Sequence, residues 1–185
     1  YLDYQMRSVS FLKDGKEILF RSERNGWGHY YLYDTATGNL KNQVTDGTWV
    51  AGPIAKIDTV GRKFYFYGYG REKSIDPYYY ILYEAKLDQL NALRLLTPEN
   101  ASHEAIISPS NHYIVESYST VSQEPVNVVR NSRGKVVMNL EKPDLLPVYE
   151  MGWKAPERFK VKAADGVTDL YGVMWKPADF DSTKV

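Results

Sequence analysis

Cysteine is absent from the 185 residues, which excludes disulfides and thiol chemistry without fixing a compartment. Net charge is absent as well, because 23 Lys and Arg balance 23 Asp and Glu. No run of like charge occurs, and no basic stretch interleaves with aromatics. Nothing in the composition therefore draws the chain to nucleic acid or to an anionic membrane surface. Apolar runs stop after a few residues, far short of the roughly 20 that a spanning helix needs. The first residues, Tyr-Leu-Asp-Tyr-Gln-Met, offer neither an initiator Met nor an apolar leader. The expectation is that any signal peptide was removed or lies outside this piece. What the sequence does hold is tyrosine, 16 residues of it, mostly inside short runs. Tyrosine favours pleated, half-buried surfaces and points to an all-β chain.

Those runs repeat. "FLKDGKEILFRSER" begins at Phe11, "KIDTVGRKFYFYGYGR" at Lys56 and "ISPSNHYIVESYST" at Ile107. Each places a turn before a short apolar or aromatic run, with Gly15, Gly61 and Asn111 at matching turn positions, 46 and 50 residues apart. Gly and Asn tolerate the positive φ of tight hairpin turns. A second set follows in the same order: "HYYLYD" at His29, "YYYILYE" at Tyr78 and "VNVVRN" at Val126. A third set closes each unit: "NQVTDG" to Gly47, "LRLLTPE" to Glu99 and "KVVMNL" to Leu140, with Thr45 matching Thr97. Groups of four short strands every 40 to 50 residues are the sequence sign of β-propeller blades. The blades run about 6–47, 48–100 and 101–142, forming a partial propeller within residues 1–150.

Strand chemistry agrees. In "KFYFYGY", Phe64 and Phe66 point to one face and Tyr65, Tyr67 and Tyr69 to the other. Both faces are aromatic, as expected for a sheet held between two like sheets; a one-sided sheet would alternate apolar with polar. One segment conflicts locally. "YEAKLDQLNALRLLT" spaces Leu87, Leu90 and Leu93 as a helix could, but the repeat alignment predicts strand, turn and strand there.

Several residues invite a chemical reading. In "SERNGWGHYYLYDTATG", from Ser22 to Gly38, the residues Ser22, Glu23, Arg24 and His29 flank a turn at Asn25-Gly26. They read as turn groups satisfying local backbone donors, with Trp27 capping the sheet edge and ligand contact as the competing role. His29, His103 and His112 read as solvated histidines of turns or strand edges. "SHEA", Ser102 to Ala105, lacks a second His at metal-ligand spacing, so no metal is expected. Nothing brings Glu23 to Asp34, or Glu141 to Asp144, as acid–base couples. "GYGRE", Gly68 to Glu72, lacks the Lys-Ser/Thr and the helix of a phosphate loop. A sequon occurs at Asn100-Ala101-Ser102 and carries little weight. The expected catalytic, substrate-binding and metal residues are none, and no cofactor is implied.

The block "FLKDGKEILFRSERNGWGHYYLYD" followed by "TDGTW", then "LTPE", "SHEAIISPS" and "SPSNHYIVESYST", resembles the propeller of the dipeptidyl peptidase IV family of serine peptidases, within the prolyl oligopeptidase superfamily. The likeness runs over essentially the whole chain. "PERFKVKAADGVTDLYGVMWKPADFDSTKV" resembles the junction where that family's propeller ends and its α/β-hydrolase domain begins. From the residues alone, this segment is a hairpin turning at Ala164-Asp165-Gly166, with Pro177 ending the ladder. Residues 151–185 are thus expected to be a linker plus the first hairpin of a truncated hydrolase domain.

The resemblance implies a parent exopeptidase that releases N-terminal dipeptides, or tripeptides, after Pro or Ala, and a propeller that gates and orients peptides. It fits a periplasmic or secreted parent. The chain departs from the family in lacking a G-x-S-x-G elbow and any Glu-Glu doublet. The expected fragment is therefore inactive alone, its partners being peptide substrates through the parent and the hydrolase domain and blades outside this piece. Self-association through uncovered blade faces is also expected. The alternative is a non-enzymatic propeller used for binding or scaffolding. A sugar-processing propeller enzyme stays open too, although no carboxylate spacing recommends it.

Overall fold

The computed structural model describes residues 9–12, 15–177, 179–181 and 183. The chain is all-β; among the described residues there are three four-stranded antiparallel sheets, a two-stranded hairpin and one short helix, Leu146–Glu150 (α1). The first sheet takes β1 (Val9–Leu12), β2 (Glu17–Ser22), β3 (His29–Asp34) and β4 (Leu40–Gln43) in chain order. The second takes β5 (Val50–Asp58), β6 (Lys63–Tyr69), β7 (Ile81–Lys86) and β8 (Leu93–Leu95) in the same way. The third takes β9 (Ser102–Ile107), β10 (Tyr113–Thr120), β11 (Gln123–Asn131) and β12 (Val136–Asn139). The hairpin is β13 (Glu157–Lys162) paired with β14 (Asp169–Met174).

The sheets stack face to face, and β6 shows why its sequence is aromatic on both sides. Phe64 and Phe66 enter a core shared with the first sheet, among Leu19, Tyr30 and Leu32. Tyr65, on the opposite side, enters a second core with Leu82, Leu96, Ile107 and Ile114, shared with the third sheet. Phe64, Tyr65 and Phe66 are all fully buried. The rings interlock: Tyr30 meets Phe64 edge-on at 5.1 Å, and Phe66 stacks on Tyr83 at 5.7 Å. Such pairs add about 0.5–1.5 kcal/mol each beyond the area they bury.

Ion pairs centred on one buried carboxylate tie the first two sheets at the end away from the β2–β3 loop. Glu17, 2% exposed, accepts from Lys41 Nζ and Arg62 Nη1, each at 2.5 Å, and Arg62 also pairs with Asp88. Burial alone would raise the Glu17 carboxyl, but hydrogen bonds and charge from Arg62 and Lys41 outweigh it and hold the pKa at about 2.

A shared threonine fixes the edge of the first two sheets. Tyr30 N–H donates to Thr45 Oγ1 at 3.0 Å, and Leu82 N–H donates to Thr97 Oγ1 at 2.8 Å. Both threonines are fully buried. The strand passing each one leaves a backbone donor that β-pairing does not use, and the hydroxyl satisfies it.

Two local expectations are corrected, at Gly61 and at Tyr78–Tyr80, while the readings of segment 83–97 and of the hairpin turn hold. Gly15 and Asn111 have positive φ, but in the second sheet the left-handed residue is Arg62 (φ 52°) rather than Gly61. Gly61 instead donates its N–H to Asp58 Oδ1 at 2.7 Å, and a Cβ there would strike that carboxylate. Arg62 is held in its costly conformation by its two acidic partners. The run Tyr78–Tyr80 lies outside β7, because Tyr78 and Tyr79 donate their N–H groups to Asp76 Oδ1 and O in a turn. Segment 83–97 is strand, turn and strand, with Asn91 (φ 52°) at the turn. The hairpin turns at Gly166 (φ 68°), where Ala163 N–H bonds Thr168 O.

Candidate functional site

Antiparallel order places the β2–β3 loop (23–28), the β4–β5 connection (44–49), the β6–β7 loop (70–80) and the β10–β11 turn at one end of the stack. Loops carried on a rigid sheet are where binding groups concentrate. The β6–β7 loop is the longest of these. Its Arg71 guanidinium lies 5.9 Å from the Trp49 ring and 5.5 Å from the Tyr83 ring. Glu72 accepts from Arg71 at 2.5 Å and from the Tyr83 hydroxyl at 3.1 Å. Burial and the neighbouring Glu72 both push the Tyr83 hydroxyl well above the ordinary range, so it stays protonated and donates.

The hairpin meets this rim at Asp76, Tyr78 and Tyr79. Arg158 Nη2 on β13 reaches Asp76 Oδ2 at 2.6 Å while its guanidinium sits 4.8 Å over the Tyr79 ring. Tyr171 on β14 meets Tyr78 edge-on at 6.0 Å. A cleft of about 340 Å3 remains between hairpin and rim, walled by Tyr78, Tyr79, Val121, Phe159 and Tyr171. It can admit an apolar side chain; Arg158 and Lys160 at its edge are already neutralised, by Asp76 and Asp169.

The residues singled out from the sequence fall elsewhere, and two histidines need correction. His29 and His103 are fully buried rather than solvated; His112 alone is exposed. His29 Nε2 bonds the Gly47 carbonyl at 2.9 Å, so that nitrogen carries the proton. Its Nδ1 then accepts from Thr45 Oγ1 at 3.0 Å, and the neutral ring is fully satisfied. Desolvation holds its pKa below the ordinary histidine value, against the opposing pull of Gly47 O and Asp46. This is a structural histidine.

His103 belongs to a second buried group. Its Nε2 meets the Glu99 carbonyl at 3.0 Å, its Nδ1 stands 3.5 Å from Glu116 Oε1, and Glu99, His103 and Glu116 lie within metal-ligand reach of one another. Arg130 Nη2, however, donates to both Glu99 and Glu116 at 2.7 Å. Burial alone would raise the Glu116 carboxyl, but His103 and Arg130 hold it below the usual range. A cation is thus already supplied by the chain, and the group reads as an ion network locking β10 and β11 to the connection before β9.

Around the first turn, Arg21 pairs with Glu23 at 2.9 Å and donates to Ala51 O at 2.6 Å, while Arg24 lies over Tyr31 and donates to Tyr33 Oη. Ser22 Oγ accepts from Arg24 Nε at 3.2 Å. Glu23 and Asp34 sit at opposite ends of the first sheet; Asp34 caps the 34–38 turn through Thr37. Glu141 and Asp144 are exposed, and Asp144 Oδ1 accepts from Leu146 N–H. Gly68 to Glu72 is a strand end running into the rim loop. Asn100 of the sequon accepts from Asp76 N–H at 2.9 Å, a structural role for its amide. The Arg71–Glu72–Trp49–Tyr83 cluster and the Arg158–Asp76 contact were not anticipated, since their members are distant in sequence and share no spacing motif.

A family model described as the dipeptidyl peptidase IV (DPP IV) N-terminal region matches residues 1–125. Among solved structures, the chain is similar to a protein of Bacteroides ovatus designated a candidate dipeptidyl aminopeptidase IV. The TM-score is 0.69 and the identity 25%, over 94% of this chain and 26% of that one. It is also similar to Porphyromonas gingivalis dipeptidyl peptidase 4, with a TM-score of 0.70 and 22% identity over 95% of this chain and 25% of that one. The chain spans about a quarter of the length of either.

Proposed function

The chain belongs to the family of the dipeptidyl peptidase IV N-terminal region, and from that premise we propose that it forms the last part of the propeller, and the first hairpin of the catalytic domain, of a serine hydrolase releasing dipeptides from peptide N-termini. The observation that carries the reading is the hairpin at residues 157–174, which leaves the third sheet and returns to the loop rim. A catalytic domain grown from that hairpin would sit over the rim and take its substrate between the two bodies.

On this reading the sheets wall off the reaction and the rim steers the peptide. Exposed Arg71 and half-buried Glu72, on the longest loop, are the polar groups offered to a passing backbone or terminus. Specificity for Pro or Ala before the scissile bond follows from the resemblance and belongs to this proposal. Bond cleavage falls to a Ser-His-Asp triad carried outside these residues.

The test is direct. Coding sequence continuing past Val185 should contain G-x-S-x-G within roughly the next hundred-odd residues. The protein it encodes should release chromophore from a Gly-Pro anilide, and the 185-residue chain alone should not. Turnover by the 185-residue chain, or an extended protein with neither motif nor activity, overturns the reading; the latter would favour a scaffold.

A further inference from the structure

We propose that Arg158 and Asp76 form an orientation latch that fixes the β13–β14 hairpin at one angle on the loop rim. The hairpin needs one. A two-stranded ribbon is marginal alone in water, and every residue of β13 is exposed. A cleft of about 340 Å3 also keeps its base from packing flat against the rim.

Asp76 is built to hold a position. Its side chain is 7% exposed. Its N–H donates to Asn100 Oδ1 at 2.9 Å, its Oδ1 accepts from Tyr78 N–H at 3.0 Å, and its carbonyl accepts from Tyr79 N–H at 3.0 Å. With backbone and one carboxylate oxygen committed, Oδ2 points in a fixed direction. Asn100 belongs to the connection between the second and third sheets, so the carboxylate is referenced to both.

Arg158 matches that fixed oxygen. A guanidinium is planar and can pair and stack at once. Here Nη2 bonds Asp76 Oδ2 at 2.6 Å while the plane covers the Tyr79 ring at 4.8 Å. Tyr171, on the other strand of the hairpin, touches Tyr78. One contact on each strand defines a tilt, where a single contact would leave a pivot. For function the inference rests on the hydrolase reading above, in which the tilt sets how the catalytic domain faces the rim. The latch itself does not depend on it.

The experiment exploits the absence of cysteine. Nitroxide labels at Val60→Cys and Val167→Cys, residues 94% and 77% exposed, report the distance from the far end of the second sheet to the hairpin turn. Diluted in an excess of unlabelled protein, so that only distances within one chain are read, the 185-residue chain should give one narrow distance distribution by pulsed electron resonance. Arg158→Gln, on the hairpin and remote from the sheet cores, should broaden it about twofold with unchanged far-ultraviolet dichroism. Asp76→Asn, which leaves the Tyr79 stack in place, should broaden it but no more than Arg158→Gln does. The double variant should add nothing beyond Arg158→Gln, because the ion pair that Asp76→Asn removes is already gone there. A broad distribution in the unsubstituted chain, an unchanged width in Arg158→Gln, or additive broadening in the double variant would each overturn the latch. Absence of a downstream serine motif would leave these widths untouched, so failure of the hydrolase reading is separable.

Discussion

Replacing Glu17 with Gln isolates the ionic lock between the first and second sheets. The carboxylate is 2% exposed and receives Lys41 and Arg62, each at 2.5 Å. Its pKa falls from an ordinary 4.5 to about 2, a span equivalent to about 3–4 kcal/mol at most. Lys41 is 40% exposed and Arg62 24%, so water screens part of this and about 2 kcal/mol is the working figure. Arg62 keeps Asp88 in the variant and is not orphaned. For a chain this size the loss corresponds to roughly 4–8 °C in Tm.

The sign in pH follows from the depressed pKa. The folded state binds fewer protons at Glu17 than the unfolded state, so its contribution is complete above about pH 4.5 and disappears as pH falls toward 2. Urea titrations followed by tryptophan emission should show Glu17→Gln about 2 kcal/mol less stable at pH 7. The two proteins should converge as pH falls through about 2. A gap under about 0.5 kcal/mol at pH 7, or one that persists undiminished to pH 2, would refute the reasoning.

The threonine device predicts an asymmetry. Thr45→Val strands Tyr30 N–H and His29 Nδ1, whereas Thr97→Val strands Leu82 N–H. The first should therefore cost more, within the range of about 1–3 kcal/mol per buried unpaired group, measured by urea melts; equal costs would argue against the His29 bond. Imidazole resonances of His29 should show the ring protonating below the ordinary histidine range, with the Nε2–H tautomer above it. Titration of His29 at the ordinary histidine value would contradict this. Stability contributed by neutral His29 is present above about pH 6.5 and lost as pH falls below it. The outer faces of the first and third sheets expose Phe11, Val9, Ile106, Val115 and Met138. Light scattering should accordingly find the 185-residue chain self-associated, with Ile106→Lys shifting it toward monomer; a clean monomer at high concentration would contradict it.

The sequence announced those features that depend on near neighbours. Alternation in β6 gives both buried faces, Asp165-Gly166 gives the hairpin turn, and the Thr45–Thr97 match marks equivalent strand edges. Propensity failed where turn chemistry competed: Tyr78 to Tyr80 are strong strand formers, yet follow Asp76-Pro77, and Asp76 takes the amides of Tyr78 and Tyr79. Histidine burial was illegible because the partner of His29 is Thr45, 16 residues on. The left-handed Arg62 was illegible for the same reason, since Glu17 lies 45 residues earlier. The rim was hardest: Arg158 and Asp76 are 82 residues apart, and only the folded path of the chain brings them together.

Burial of β6 from two sides is the claim on which the stacked architecture stands, and paired truncations test it. Phe66 faces the first sheet and Tyr65 the third, so Phe66→Ala and Tyr65→Ala should each cost about 3–5 kcal/mol in urea melts. A Tyr65→Ala cost below about 1 kcal/mol, beside a full cost for Phe66→Ala, would mean that one side of the strand faces water, and the stack of like sheets would be wrong.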